Sequence, residues 1–294
     1  MKRYDLHTHS NHSDGSLAPA EVVRVAREAG LGGIALTDHD GTGGVDEAQA
    51  AGKTLNVEVL LGCEVSAGWK KGPVHVLAYF FDPTYPRLVE ELRWIRDDRV
   101  VRAEKMVERL QELGVPITFQ QVQQVAGEAA VGRPHVAQAM VDAGIVNKTV
   151  DAFTPEWIAD GGRAYIPKRV MTPHDTVELI RDAGGVSVIA HPVWIERDGR
   201  GGTEGLIEEL AALGLAGIEV NHPDQDETWR ARWSALANRL DLIETGSSDF
   251  HGNDHGDTIG LFTTSEETVG ALRARCSAVA HDAPVRASER GQAG

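Results

Sequence analysis

The chain carries only two cysteines, Cys63 and Cys276, and no C-x-x-C pair. Neither a disulfide framework nor a thiolate zinc site is indicated. Cys63, beside Glu64 on an expected strand, should face away from it as a small core residue. No uninterrupted apolar run approaches the length of a bilayer span, and Met1-Lys2-Arg3-Tyr4-Asp5 lacks the apolar segment of a signal peptide. A cytoplasmic protein without membrane association is expected. Positive charge is also scarce, since 29 Lys and Arg stand against 44 Asp and Glu, a formal net charge of -15. Binding to long nucleic acid or anionic membrane depends mainly on basic surface that neutralises phosphates, so neither is an expected partner. Any phosphorylated substrate should be small and drawn by something local, and bound divalent ions can be the largest charges in a site. The sequence specifies no protein partner.

What the chain does have is histidine and carboxylate in a recurring pattern. Residues 4–6 read as a short buried strand that runs into His7-Thr8-His9, and residues two apart in an extended chain project from the same side. His7 and His9 can therefore hold one ion between them. An H-x-H alone can be chance or an expression tag. Here Asp14 follows closely, and Asp38-His39-Asp40, Glu64, His75, His191 and Asp249-Phe250-His251 recur down the chain.

With 294 residues, 41% of them hydrophobic, the chain can bury a substantial α/β core. Strands are expected at 33–37, from Val57 to an end at Glu64, and at 74–80, and helices from Ser16-Leu17-Ala18-Pro19 to Gly30 and over 45–55. At Asp82-Pro83 the rhythm changes. Residues 87–113 are charged and free of Pro and Gly, and shorter helices follow, broken at Gly114-Val115-Pro116, Gly132-Arg133-Pro134-His135 and Gly161-Gly162. Residues 83–165 read as an inserted helical subdomain; the plainer alternative is three or four peripheral helices of one domain. From Thr172-Pro173 the alternation resumes, with helices at 173–183, 206–213 and 227–238 and strands at 186–190, 216–220 and 242–245. Residues 1–82 and 166–283 would form one discontinuous domain, and 284–294, which lack periodicity, a frayed tail.

Nearly every ligand candidate follows the C-terminal end of a strand or lies on one, the face at which parallel β/α barrels build their sites. Imidazole and carboxylate without thiolate suit Mn²⁺, Fe²⁺ or Zn²⁺. The donors are too many for one ion and fit two or three, and Glu64 could bridge two of them. Closely spaced ions lower the pKa of a shared water and neutralise a phosphoryl group, which favours hydrolysis.

His7-x-His9, Ser13-Asp14-Gly15, Thr37-Asp38-His39-Asp40, Gly62-x-Glu64, His75, Ala190-His191-Pro192 and Ser248-Asp249-x-His251 run in order over about residues 4–265. They resemble the PHP (polymerase and histidinol phosphatase) family of metal-dependent phosphoesterases. Gly132-Arg133-Pro134-His135 and Ala164-Tyr165-Ile166-Pro167 resemble the branch that includes the TrpH-like proteins, the 3',5'-nucleotide bisphosphate phosphatases and RNase AM. The resemblance implies a distorted (β/α)7 TIM-like barrel with an inserted helical subdomain. It also implies two or three divalent ions, with manganese expected first and iron or zinc as alternatives. One would be held by His7, His9, Glu64 and Asp249, a second by Glu64, His75 and His191, and a third by Asp14, His39 and His251. At the position of Asp14 some relatives carry histidine. Hydroxide generated at the ions would attack phosphorus.

Other residues allow two readings each. His12 stands as a site-edge residue or a ligand, and His222 as a substrate contact or a structural histidine. Asp38 and Asp40 could orient His39 by hydrogen bonds or serve as turn residues. Arg133 and His135, with Lys168 and Arg169, are candidates for a second phosphate site, since guanidinium geometry matches phosphate. For Lys168 and Arg169 a solvated surface is the alternative. The expected substrate is a nucleotide, above all a nucleoside 3',5'-bisphosphate losing its 3'-phosphate, or a short oligonucleotide 5' end. The alternatives are histidinol phosphate, 5'-3' exoribonuclease action, an amidohydrolase acting on C–N bonds, and a non-catalytic metal-binding module.

Overall fold

The computed structural model describes residues 2–70, 72–127, 131–166, 171–199, 201–252 and 258–282. The tail expected over 284–294 lies outside them. The chain opens with β1 (Arg3–Thr8), α1 (Pro19–Glu28), β2 (Gly33–Leu36), α2 (Val45–Leu55), β3 (Glu58–Trp69) and β4 (Gly72–Tyr79). α1 starts with Pro at its first turn, where a missing N–H costs nothing, and buries Val22, Val23 and Ala26 at helical spacing. Three helices follow, α3 (Pro86–Glu112), α4 (Phe119–Ala126) and α5 (Arg133–Asp142). The alternation resumes with α6 (Pro173–Asp182), β5 (Val186–Ile189), the short α7 (Val193–Arg197), α8 (Thr203–Leu213), β6 (Gly217–Asn221), α9 (Glu227–Leu240) and β7 (Ile243–Gly246). β8 (Thr264–Ser265) and α10 (Glu266–Asp282) end it.

The strands form one sheet in the order β7-β6-β5-β4-β3-β2-β1-β8. A parallel bridge from Thr8 to Phe250, with the His9 N–H donating to the Phe250 carbonyl at 2.8 Å, brings the chain after β7 back to β1 and nearly closes the barrel. The sheet is parallel except around β4, which pairs antiparallel with both β3 and β5, and at β8, antiparallel to β1. This is the distortion of the expected (β/α)7 barrel. Because β4 runs backwards, its first half, which carries His75, lies at the same mouth as the C-terminal ends of β1, β2, β5, β6 and β7.

Leu60, Leu77, Tyr79, Val186 and Val188 fill the barrel, and Val269 and Leu272 of α10 close the end opposite the mouth. Residues two apart share a face, so Leu60 and Glu64 of β3, and Leu77 and His75 of β4, point inward: the apolar filling gives way to ligand groups towards the mouth. The opposite face of β3, Cys63, Val65 and Ala67, packs outward with the helices, as expected for Cys63. α3 belongs to two cores. Its first half sends Leu88 and Leu92 into the barrel's outer core, and its second half joins Met106, Val107 and Leu110 to a separate helical cluster with Val122, Val136 and Met140. Among the described residues no helix is long and apolar enough to cross a membrane.

Candidate metal centre

The loop after β1 folds back on itself. The Gly15 N–H donates to the Ser10 carbonyl at 3.0 Å, and a Cβ on Gly15 would stand 2.6 Å from the His9 carbonyl oxygen, so only glycine fits there. That return brings Asp14 towards the ring of His9, Oδ1 to Nδ1 at 3.7 Å. Asp38, after β2, fixes the same loop: its carboxylate accepts from the Ser10 N–H, the Ser10 hydroxyl and the Ser13 hydroxyl, each at 2.7 Å. Asp40 accepts from the Ser66 N–H at 2.7 Å, from the Ser66 hydroxyl, and from Arg99 on α3. The two aspartates that flank His39 thus tie down the segments around it. Asp40, His191 and Asp249 all adopt positive φ, at 54°, 25° and 52°. Non-glycine residues enter this region at a cost, and such strain concentrates at functional sites.

Glu64 is the hub. Its Oε2 lies 3.2 Å from His7 Nε2, 3.2 Å from His9 Nε2 and 3.1 Å from His39 Nδ1, and its Oε1 lies 2.8 Å from His75 Nδ1 and 3.1 Å from His191 Nε2. Asp249 Oδ1 stands 3.1 Å from His7 Nε2 and 3.2 Å from His9 Nε2. Asp14 reaches His39 Nε2 at 3.5 Å and His251 Nε2 at 3.4 Å. Among the described residues, three groups can therefore hold ions: His7 with His9, Glu64 and Asp249; His39 with Glu64 and His75; and His9 with Asp14, His39 and His251. His191 meets the second group through Glu64.

The donor atoms themselves test the fit. His7 Nε2, His9 Nε2, Asp14 Oδ1, His39 Nδ1, His75 Nδ1 and Asp249 Oδ1 are all buried and make no hydrogen bond, despite standing close to one another. Buried polar atoms are normally bonded. Atoms each about 2.1 Å from a common ion stand roughly 3 to 3.5 Å apart, the spacing found here. The residues fit divalent ions.

Charge supports the same conclusion. Burial alone would raise the Glu64 carboxyl, but His39, His75 and His7 outweigh it and hold it well below the usual carboxylate range. Asp249 is likewise held low against burial, chiefly by His7. Burial pushes His39 down to about 3, against the pull of Glu64 and Asp14. Burial opposes a proton on His9, yet Asp249 and Glu64 push it up to about 10. Divalent ions would take the place of such protons, so their uptake should release protons.

Behind the ligand groups sits Glu219, fully buried on β6, which sequence reasoning missed. Its Oε1 lies 3.0 Å from His7 Nδ1 and also accepts from the Ser247 hydroxyl, and its Oε2 accepts the His191 N–H at 2.7 Å. Asp5 is similar, accepting from the N–H groups of Ser248 at 3.0 Å and Gly260 at 2.8 Å and from the Ser248 hydroxyl. Each is a charged residue inside a short apolar strand, and that was the available signal. His222 is buried, with Nε2 3.4 Å from Asp249 Oδ2 and Nδ1 accepting the Asp224 N–H at 3.1 Å. His12 is exposed at the edge.

The mouth opens into a cleft of about 930 Å³ between the barrel and the helical segment, lined among others by Asp14, His39, His75, Arg99, Arg133 and Trp194. Arg133, at the start of α5, bonds Asp160 Oδ1 through Nη1 at 2.5 Å and stands 5.8 Å from the rings of Phe153 and Tyr165. His135 accepts the Gly132 N–H at 3.0 Å through Nδ1, capping the helix. Arg99 and Arg102, also on the cleft wall, were not singled out from the sequence, although Arg93, Arg96, Arg99 and Arg102 recur every three residues along α3. Lys168 and Arg169 lie outside the described residues.

Residues 5–91 match the PHP domain. The chain is 35% identical over 267 residues to a 3',5'-nucleoside bisphosphate phosphatase of Chromobacterium violaceum, covering 89% of this chain and 93% of that protein. It is 32% identical over 250 residues to a 5'-3' exoribonuclease of Haemophilus influenzae, covering 85% of this chain and 90% of that one. A crystal structure from Bifidobacterium adolescentis, described as a metal-dependent phosphoesterase, superposes with a TM-score of 0.84 at 35% identity, over 92% of this chain and 96% of that one. Shared sequence over nearly the whole length of these proteins, on the same barrel, makes this chain a member of the PHP family and a metal-dependent phosphoric ester hydrolase.

Proposed function

We propose that the chain hydrolyses phosphate esters of nucleotides, and that its preferred substrate is a nucleoside 3',5'-bisphosphate from which the 3'-phosphate is released. The observation that carries this reading is the single cleft shared by the ligand groups and Arg133. One phosphate would sit at the barrel mouth while the other meets the guanidinium, whose fork suits a phosphate bidentately. Asp160 engages that fork at Nη1 and aims it. The similarity to a bisphosphate phosphatase supports the same substrate.

The ion ligands in this proposal are His7, His9, Glu64 and Asp249; Glu64, His75 and His191, with His39 beside them; and Asp14, His39 and His251. Manganese is the proposed ion, with iron or zinc as alternatives, and the cytoplasm the proposed compartment. Divalent ions there would supply charge neutralisation on the phosphoryl oxygens and a more acidic water. The protein's own part is positional. Glu64 presents an oxygen to each side of the cluster, Glu219 fixes the ring of His7 and the backbone of His191, and Asp38 holds the loop that carries Asp14. The similarity to an exoribonuclease favours a second reading, a short RNA bound by its 5' end in the same cleft.

Phosphate release by the Mn²⁺-loaded protein from adenosine 3',5'-bisphosphate, AMP and histidinol phosphate, beside nucleotide release from a short 5'-phosphorylated RNA, tests the proposal. The bisphosphate should be turned over fastest. Preference for histidinol phosphate, or turnover of the RNA alone, would overturn it.

A further inference from the structure

Trp194 is an exposed aromatic side chain beside a cluster of buried ligand groups, and it is held from several directions. Its ring stacks on His191 with centroids 4.1 Å apart and planes at 29°. Its indole N–H donates to Asp224 Oδ2 at 2.7 Å. Asp224 is in turn fixed, its carbonyl accepting from Arg197 at 2.8 Å and its N–H donating to His222 at 3.1 Å. A tryptophan immobilised in this way still leaves 38% of its surface exposed, and it lines the same cleft as Asp14, His75 and Arg133. The end of β3 contributes Trp69 to the same cleft, with Lys70 Nζ 4.2 Å from its ring centroid.

We infer that the open face of Trp194 is the platform on which the nucleobase of the substrate stacks. The inference rests on the nucleotide reading above and extends it to the base. A large apolar surface exposed to water beside a charged site is poorly used unless something flat covers it, and a nucleobase is flat, aromatic and attached to the phosphates the site takes. The indole N–H is already engaged by Asp224, so Trp194 offers a π-face and no hydrogen-bond donor. Recognition here is therefore by stacking, which every base supports. The platform should separate nucleotides from other phosphate esters while ranking the four bases only weakly, purines modestly ahead by their larger area.

The test compares kcat/KM for 2'-deoxyadenosine 3',5'-bisphosphate with that for an abasic deoxyribose 3',5'-bisphosphate, in the wild type, Trp194→Ala and Trp194→Phe. The wild type should favour the nucleoside by roughly 5- to 150-fold, the range that stacking of one base supplies. In Trp194→Ala that ratio should collapse towards one through a rise in KM for the nucleoside, and Trp194→Phe should keep most of it. If Trp194 serves only to brace His191, both substrates fall together and the ratio survives, which overturns the inference. Equal turnover of both substrates by the wild type also overturns it while leaving a phosphoesterase in place. Turnover of neither, by protein that still hydrolyses another phosphate ester, removes the nucleotide reading and the platform with it.

Discussion

At the barrel mouth buried charges are held by other polar groups, whereas in the helical segment apolar side chains are held by one another. Glu64, Glu219, Asp5 and Asp38 are almost completely buried: Glu219 and Asp5 meet polar partners from different strands or loops, Asp38 accepts from Ser10 and Ser13 of one loop, and Glu64 stands within 3.2 Å of five histidine rings. Around Leu110, by contrast, the packing is Met106, Val107, Val122, Val136 and Met140. The two regions meet through arginines of α3, with Arg96 donating to the Asp40 carbonyl at 2.6 Å and Arg99 to its carboxylate. The lesson is a division of labour. The mouth fixes ligand groups through a network of polar constraints, and the helical segment presents Arg133, the proposed selecting group, on a core that any apolar residues of suitable volume could build.

The sharpest way to break this contrast is at Glu64. Glu64→Gln should lower turnover by on the order of 10³-fold and reduce the bound-ion stoichiometry measured after gel filtration, because one residue serves two ligand groups. Leu110→Ala should be nearly as large but of another kind. Denaturant titration should show about 2 to 5 kcal/mol of lost stability with unchanged ion affinity, since Leu110 is fully buried in the helical cluster alone. A matching drop in ion affinity would show that the regions are not separable. Glu219→Gln keeps the shape and removes the charge behind His7, and titration calorimetry should show ion affinity about 10- to 100-fold weaker with stability little altered. The smallest and most selective effect belongs to Arg133→Ala. It should raise KM for a 3',5'-bisphosphate by about tenfold, the worth of a charge-assisted hydrogen bond, and leave a simple phosphomonoester unaffected; equal losses on both would remove the second-phosphate role.

The contrast also explains what could be read from the sequence. α2 spans 45–55 as its periodicity predicts, and the motifs that end at strand termini converge on one mouth, because local periodicity and strand-end position are one-dimensional signals. β3 was expected to end at Glu64 and instead runs to Trp69, since Ser66 and Gly68 break the apolar run while Cys63, Val65 and Ala67 continue it on the other face. The reversed direction of β4 and the buried role of Glu219 were not legible. Both depend on which strands become neighbours, and a carboxylate on β6 gains its meaning only from His7, 212 residues earlier. The arginines of α3 were hidden differently, in a helix whose many charges resemble an ordinary solvated face.

The left-handed turns at Asp40, His191 and Asp249 carry a consequence for how such a chain can diverge. They sit within a few residues of the ends of β2, β5 and β7, and on a strand a shift of one residue sends a side chain to the opposite face. A single inserted or deleted codon between strand and ligand would therefore aim the group away from the mouth. Length variation is therefore expected away from these points, and the long excursion between β4 and α6 is where this barrel has room to grow.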